Sequence, residues 1–183
     1  MQPPLVGILA GGAGRRMGGR DKARLVAPGG EQLLPRLLRV CAELSLPALV
    51  VGGAAPEGVR ALSDAPPGIG PIGGLSALLA HAGARPALLL ACDLPYLTAP
   101  LLGRLASTAS AAPVLAARDP ATGKWQPMFA RYASVAVLPA LQLAIADGVR
   151  SLQTFLRTQV VEELVLDDAE RAQLHDWDTP EDL

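Results

Sequence analysis

The chain has 183 residues, half of them hydrophobic and only 3% aromatic, and its formal net charge at pH 7 is −1. This length fits one domain, residues 1–183, with a core of leucine, valine and alanine side chains. The near-neutral charge argues against general nucleic-acid binding, which favours a basic surface. Cys41 and Cys92 lie far apart and there are only two histidines, so neither a disulfide framework nor a zinc site is expected.

Short apolar runs alternate along the chain with leucines at helical spacing. Strands are predicted at Leu5–Ala10, Ala48–Val51, Ala87–Cys92, Val114–Ala117, Trp125–Ala130 and Val160–Leu166. Helices are predicted at Leu34–Leu44, Ile72–His81, Leu101–Ala109, Val135–Ala146 and Leu152–Arg157. This alternation predicts a three-layer α/β/α, Rossmann-like fold with a mostly parallel sheet. The fifth predicted strand contains Pro127, which indicates an edge position or a bulge.

Sequence features of membrane insertion and export are weak. The longest apolar run is about half of the roughly 20 residues that a membrane-spanning helix needs. The opening residues, MQPPLVGILAGGAG, do not combine a charged start with a long apolar segment, as a signal peptide would. We therefore expect a cytoplasmic protein that does not bind a membrane.

The first predicted strand leads into a glycine-rich, basic stretch, ILAGGAGRRMGGRDKARL, at residues 8–25. It does not match the dinucleotide fingerprint G-x-G-x-x-G, because Met17 stands where the third glycine is needed when the motif is counted from Gly12. It does not match the P-loop either, because Arg20 and Asp21 follow the second glycine in place of lysine and serine or threonine. Neither of these two common phosphate motifs is therefore present.

The same stretch still has the composition of an anion-binding loop. Glycines allow backbone N–H groups to approach a phosphate closely. Arg15, Arg16 and Lys22 add positive charge at the same place. We predict a loop that binds a polyphosphate; a glycine-rich turn with solvated basic residues is the alternative.

Two aspartates lie in loops where a site is expected. Asp93 comes directly after the buried run Ala87–Cys92, and Asp64 precedes the segment APPGIGPIGG. Sites in parallel sheets form beyond the carboxyl ends of the strands, and a carboxylate facing a triphosphate there is suited to hold Mg²⁺. The alternative for Asp93 is a turn or helix-cap aspartate. Asp64 could contact a base, a ribose or a loop amide.

Four segments resemble the signatures of the small nucleotidyltransferases that make the dinucleotide forms of the molybdenum cofactor, and in particular their guanylyltransferase branch. Residues 9–22 fit L-A-G-G-x-x-x-R-M-G-x-x-D-K, and residues 92–96 fit C-D-x-P-[YF]. Residues 64–74 hold an aspartate before a loop that ends in G-P-x-G-G, and residues 175–183, HDWDTPEDL, are similar to N-x-N-T-P-E-D-L. The resemblance covers nearly the whole chain.

The resemblance implies a sheet of the nucleotide-diphospho-sugar transferase type and transfer of GMP from GTP to molybdopterin, with release of pyrophosphate. Mg²⁺ is the implied cofactor. GTP and molybdopterin are the implied small-molecule partners, and proteins that mature molybdoenzymes are further candidate partners. We expect the protein to be a monomer.

The resemblance also implies roles for individual residues. The implied catalytic positions are Arg16, Lys22 and Asp93. The implied nucleotide-binding positions are Leu9, Ala10, Gly11, Gly12, Lys22, Gly52, Asp64 and Asp93. Asp93 is the implied magnesium ligand, with Asp178 as a second metal position. The implied pterin-side positions are Gln126, Arg150, Asp176 and Asp178, although an ordinary edge strand around Gln126 and a solvated arginine at position 150 are the alternatives.

The chain departs from the guanylyl pattern at three positions. Asp176 and Asp178 replace two asparagines, and Gly52 stands where that branch often has an asparagine. These departures keep open cytidylyl transfer to the same cofactor and nucleotidyl transfer to a sugar phosphate. A third alternative is a nucleotide-binding regulatory module without turnover, which would tolerate the loss of Asp93 or Lys22, although both are present here.

Overall fold

The computed structural model describes residues 2–10, 25–27, 30–175 and 177. Its strands are β1 (Leu5–Leu9), β2 (Ala48–Val51), β3 (Ala61–Leu62), β4 (Ala87–Ala91), β5 (Val114–Arg118), β6 (Trp125–Tyr132) and β7 (Val161–Glu163). Its helices are α1 (Leu33–Glu43), α2 (Pro71–Ala82), α3 (Ala99–Ser107), α4 (Ser134–Ala146), α5 (Leu152–Leu156) and α6 (Asp168–Ala172). Within these described ranges, none of the helices has the length and apolar character needed to cross a membrane.

The strands form one seven-stranded sheet in the order β3-β2-β1-β4-β6-β5-β7. β1 pairs in parallel with β2 and β4, β2 pairs in parallel with β3, and β5 pairs in parallel with β7. Among the strands of the described residues, only β6 is antiparallel to its neighbours, β4 and β5, so β5 runs in the same direction as β4. The last residues of β2, β1, β4 and β5 therefore lie along one edge of the sheet, which we call the carboxyl edge.

Two apolar cores cover the two faces of this sheet. In β1, Leu5 and Leu9 belong to the core shared with α2, α4 and α5. The alternate residues, Val6 and Ile8, belong to the core shared with α1 and α3. Because alternate side chains of a strand point to opposite faces, all five residues of β1 are buried. This arrangement confirms the predicted three-layer α/β/α fold with a mostly parallel sheet.

Helix α2 packs closely against the carboxyl edge because its third and fourth residues are glycines. A Cβ added to Gly74 would lie 2.6 Å from Leu9 Cδ2 and 3.1 Å from Val51 Cγ1. A Cβ at Gly73 would lie 2.5 Å from the carbonyl oxygen of Pro66. The sequence P-I-G-G thus allows the first turn of α2 to rest directly on the ends of β1 and β2.

Strand β6 corrects one prediction and confirms another. It lies between β4 and β5, so the expectation that it is an edge strand is wrong. The predicted bulge is present, because the β5–β6 register passes from Ala116↔Ala130 to Arg118↔Trp125 with a shift between them. Pro127 lies inside this shift, where its missing N–H removes no regular ladder bond.

The remaining differences concern weak or polar elements. The last strand is only Val161–Glu163, shorter than predicted, and the third helix begins at Ala99 rather than Leu101. β3 and α6 were not predicted, because β3 has two residues and α6 buries none. The capping box formed by Asp167 and Glu170 at the start of α6 is the sequence signal that was available.

Candidate active site

The ends of β1 and β2 meet at the carboxyl edge without intervening side chains. The N–H of Ala10 donates to the carbonyl of Val51 over 3.0 Å. A Cβ at Gly53 would lie 2.8 Å from both the carbonyl carbon and the carbonyl oxygen of Ala10. Only glycine allows the chain after β2 to lie this close to the residue that follows β1.

Asp64 occupies space that three glycines leave open. Gly52 has a φ of 73°, in the left-handed region, and a Cβ there would lie 2.7 Å from Asp64 Oδ1. A Cβ at Gly74 would lie 3.4 Å from the same oxygen, and one at Gly73 would lie 3.5 Å from the Cβ of Asp64. The carboxylate is therefore held between the end of β2 and the start of α2.

The carboxylate of Asp64 lacks a donor within the described part of the chain. Its Oδ1 is buried and accepts no hydrogen bond there. Burial raises the pKa of this carboxyl above its ordinary value. A buried acceptor without a donor costs free energy in the absence of a ligand, so an incoming N–H or O–H group would satisfy it.

A cavity of about 280 Å³ opens beside this carboxylate. We call it the Asp64 pocket; its lining includes Gly52, Gly53, Leu62, Ser63, Asp64 and Pro67. The N–H of Gly52 is already bonded to the carbonyl of Leu62 over 2.9 Å, which fixes the wall on the β3 side. The pocket therefore has a rigid glycine wall and one unsatisfied acidic group.

Asp93 lies at the centre of the carboxyl edge, two residues after the end of β4. Only 9% of its surface is exposed. The N–H of Cys92 donates to the carbonyl of Leu9 over 3.1 Å, which ties the end of β4 to the end of β1. The carbonyl of Asp93 accepts a bond from the N–H of Trp177 over 3.3 Å. The turn that carries Asp93 is thus fixed from both sides.

A second cavity lies beyond β5 and β6, on the opposite side of β4 from the Asp64 pocket. It has a volume of about 430 Å³, and we call it the β5–α6 cleft; its lining includes Arg118, Asp119, Gln126, Leu166, Arg171 and His175. The side-chain amide of Gln126 forms no hydrogen bond to the part of the chain that the structure describes, whereas most of the charged groups around it are occupied. The cleft therefore offers one uncommitted amide next to a set of fixed charges.

The charged side chains of Arg118 and Asp119 bind neighbouring residues in the wall of the cleft. Arg118 donates through Nε to the carbonyl of Gly123 over 2.9 Å, and its guanidinium lies 5.3 Å from the ring centroid of Trp125. Asp119 accepts bonds from the Thr122 hydroxyl and the Ala121 N–H. These bonds, that from Thr122 first, lower the pKa of the Asp119 carboxyl.

The structure brings most of the described candidate residues to one edge. Leu9, Ala10, Gly52, Asp64 and Asp93 lie together along the ends of β1, β2 and β4, and Gln126 lies at the start of β6 on the same edge. The hydrogen bonds of Arg150 do not connect it to these residues. Its Nη1 donates to the carbonyls of Ile145 and Val149, each over 2.9 Å, at the end of α4.

Six candidate residues lie outside the described residues, and their roles stay predictions. They are Gly11, Gly12, Arg16, Lys22, Asp176 and Asp178. Two residues at the edge, Gly53 and Trp177, were not singled out from the sequence. The pair Gly52-Gly53 directly after a strand was the available signal for the first. The rarity of aromatic residues in this chain was the signal for the second.

Two solved structures share the fold. One is molybdopterin-guanine dinucleotide biosynthesis protein A from Archaeoglobus fulgidus, with a TM-score of 0.78 and 24% identity, covering 97% of this chain and 94% of that one. The other is 2-C-methyl-D-erythritol 4-phosphate cytidylyltransferase from Thermus thermophilus, with a TM-score of 0.67 and 18% identity, covering 100% of this chain and 95% of that one.

Residues 6–164 match the model of the MobA-like NTP transferase domain, and the chain belongs to this family. It is 38% identical over 182 residues to a molybdenum cofactor guanylyltransferase of Pseudomonas putida, an alignment that covers 96% of this chain and 93% of the relative. It is 33% identical over 184 residues to a molybdenum cofactor guanylyltransferase of Xanthomonas euvesicatoria, covering 99% and 93%. The family assignment expected from the sequence signatures is confirmed.

Proposed function

We propose that this protein transfers GMP from GTP to molybdopterin, forms the guanine dinucleotide form of the molybdenum cofactor and releases pyrophosphate. The relatives named for this reaction align with almost the full chain. The observation that carries the choice of nucleotide is the buried, donor-free oxygen of Asp64 in its glycine-walled pocket.

Guanine has the hydrogen-bonding pattern that an ionised carboxylate needs. Its N1–H and 2-amino group are adjacent donors, whereas cytosine and adenine each place an acceptor nitrogen beside their amino group. An ionised aspartate only accepts hydrogen bonds, so it pairs with the guanine edge and is repelled by the acceptor nitrogen of the other bases. The pocket at Asp64 therefore favours GTP over CTP and ATP.

The strand order supports a donor site and an acceptor site that meet at Asp93. The Asp64 pocket lies beyond β2 and β3, and the β5–α6 cleft lies beyond β5 and β6. β4, which leads into the turn that carries Asp93, stands between the two groups of strands. GTP in the first site and molybdopterin in the second would bring the reacting phosphates together at Asp93, with the amide of Gln126 facing the pterin.

The reaction requires positioning more than acid–base chemistry. The second pKa of a phosphate monoester is about 6, so the attacking phosphate of molybdopterin is already ionised near neutral pH. Its oxygen bonds to the α-phosphorus of GTP, the bond from that phosphorus to the α–β bridging oxygen breaks, and this oxygen leaves as a terminal oxygen of pyrophosphate. Such transfers depend on alignment and on cations around the phosphates. Arg16 and Lys22 are the proposed protein cations, and the backbone N–H groups of Gly11 and Gly12 are further proposed donors to the phosphates.

The donor set at the edge fits Mg²⁺. Asp93 supplies a buried carboxylate at a strand end, and the described ranges contain no group of three or more histidine, cysteine or acidic side chains that would hold a metal by themselves. Mg²⁺ is the cation that takes one or two carboxylates and completes its shell with phosphate oxygens and water. When bound, it would neutralise charge on the triphosphate, with Asp93, and Asp178 as a second proposed ligand, holding it.

Pyrophosphate release from a panel of nucleotides tests this function. Molybdopterin and Mg²⁺ should be present with GTP, ITP, CTP, ATP or UTP. We expect the highest rate with GTP and a lower rate with ITP, which lacks the 2-amino donor. An equal or higher rate with CTP would assign the chain to cytidylyl transfer, and GTP binding without any pyrophosphate release would indicate a regulatory module. We also propose that the enzyme acts in the cytoplasm as a monomer and passes its product to proteins that mature molybdoenzymes.

A further inference from the structure

Trp177 lies in a small apolar cluster that is separate from the two cores of the sheet. Its side chain is 5% exposed and packs with Ala27 and Leu33, and Leu25 is partly buried against the same cluster. Leu25 is the last residue of the glycine-rich stretch, Ala27 follows it in the sequence, and Leu33 is the first residue of α1. The indole therefore holds the segment that leads from the glycine-rich stretch into α1.

The same residue contacts the turn that carries Asp93. The backbone N–H of Trp177 donates to the carbonyl of Asp93 over 3.3 Å. Its ring meets the ring of Tyr96 edge to face, with centroids 6.4 Å apart and an interplanar angle of 81°. Trp177 thus connects the Asp93–Tyr96 turn with Leu25, Ala27 and Leu33, which are far from that turn in the sequence.

The chain before Trp177 is fastened to α3 by bonds that do not involve the indole. Gln173 Oε1 accepts bonds from the hydroxyl and the backbone N–H of Thr98, over 2.7 and 3.2 Å. Arg104 pairs with Glu170 and donates to the carbonyl of Val165 over 2.7 Å. Removing the indole should therefore leave α6 and the sheet in place and loosen the Asp93–Tyr96 turn and the residues that pack against the indole, Leu25, Ala27 and Leu33.

We propose that Trp177 is a positioning residue that sets the place of Asp93 relative to the segment after the glycine-rich stretch, and thereby the binding of Mg²⁺ together with the triphosphate. This inference rests on the proposed function of the edge. Trp177 acts through Asp93, on the β4 side, whereas the Asp64 pocket lies beyond β2 and β3. Its loss should therefore impair the metal-dependent step and spare recognition of the base.

Trp177→Ala and Trp177→Phe test this role by comparing the Mg²⁺ dependence of turnover with GTP affinity in the absence of metal. In Trp177→Ala we expect the Mg²⁺ concentration for half-maximal pyrophosphate release to rise, and kcat to fall, by about tenfold or more, because small misplacements of reacting groups have effects of this size. Calorimetric GTP affinity in EDTA should stay within about twofold of wild type. Trp177→Phe, which keeps an aromatic edge for Tyr96, should restore most of both values.

Phe155→Leu is a matched control for general destabilisation. Phe155 is 1% exposed in the core of α2, α4 and α5, on the opposite side of the sheet from α1 and α3. We expect it to lower Tm without changing the Mg²⁺ dependence. If Trp177→Ala shows only the lowered Tm that this control shows, the indole is a packing residue and the proposal is wrong.

Fluorescence provides a readout that does not depend on turnover or on a destabilising variant. The chain has two tryptophans, Trp125 and Trp177, so Trp125→Phe leaves Trp177 as the only indole emitter. We expect Mg²⁺ added with GTP to shift the Trp177 emission, and Mg²⁺ alone to change it little. Emission that stays constant while calorimetry shows Mg²⁺–GTP binding would overturn the inference. A shift in a protein that releases no pyrophosphate would support the inference and reject the proposed transfer reaction.

Discussion

Replacing Gly52 with alanine should disturb both stability and GTP binding, because the added methyl meets Asp64. Gly52 has a φ of 73°, and its Cβ would lie 2.7 Å from Asp64 Oδ1. A non-glycine residue in this backbone region costs about 1–2 kcal/mol, and overpacking in a confined site adds roughly 1–3 kcal/mol. For a domain of this size, each kcal/mol lowers Tm by about 2–4 °C.

The loss of GTP affinity follows from the same contact. Asp64 cannot retreat far, because Gly74 and Gly73 bring α2 against it from the other side. Displacing a charged acceptor removes a hydrogen bond that contributes about 1.5–3 kcal/mol, which corresponds to roughly a 10- to 100-fold weaker Kd. Scanning fluorimetry would measure Tm, and titration calorimetry would measure GTP binding.

Gly58→Ala is the matched control for this experiment. Gly58 has a nearly identical φ of 78°, but its Cβ would meet nothing within 4 Å. Gly58→Ala should therefore carry only the cost of the strained backbone, so its Tm should fall about half as far as that of Gly52→Ala and its GTP affinity should be unchanged. If the two variants show the same Tm and the same GTP affinity, the contact between Gly52 and Asp64 does not shape the pocket and the reasoning fails.

Three further substitutions test other parts of the edge. Asp64→Asn should raise Tm at about pH 8, because burial raises the pKa of the Asp64 carboxyl and stability is lost as pH rises through that folded-state pKa. The gain in Tm should vanish at a pH below the ordinary carboxyl range, whereas GTP binding should be weaker than wild type at every pH. A lower Tm at about pH 8 would contradict this reasoning. Tyr132→Phe removes the 2.7 Å bond that the buried hydroxyl donates to the carbonyl of Pro127. We expect the free energy of unfolding, measured in urea, to fall by about 1 kcal/mol, and the KM for molybdopterin to rise because Gln126 lies in the same bulge as Pro127. Unchanged values would show that the bond does not shape the bulge. Asp93→Asn should fold normally but lose about a thousandfold of its Mg²⁺-dependent rate in the pyrophosphate assay, and near wild-type turnover with the same Mg²⁺ dependence would make Asp93 a turn residue.

The sequence was sufficient to predict the central strands and their layers. β1, β2 and β4 are continuous apolar runs that end in glycine or aspartate, the pattern of buried parallel strands. The position of β6 was not predictable in the same way. Pro127 indicated an edge or a bulge, and only the pairing with both β4 and β5 distinguishes these.

Site residues were predictable where a motif fixes them and not where the fold brings distant segments together. Asp64 and Asp93 were found from the segments around them. The cradle around Asp64 depends on glycines from the end of β2 and the start of α2, which only the tertiary packing brings together. Trp177 contacts segments about 80 and 150 residues away in the chain, and no local pattern records such contacts.

Positional labelling of GTP tests the central claim most directly. The protein should be incubated with molybdopterin and Mg²⁺ and with GTP labelled at either the α- or the γ-phosphate. Nucleotidyl transfer predicts that the α-label appears on the molybdopterin product and the γ-label in pyrophosphate. A γ-label on molybdopterin, or a γ-label released only as orthophosphate, would show phosphoryl transfer or hydrolysis and would contradict the proposed function.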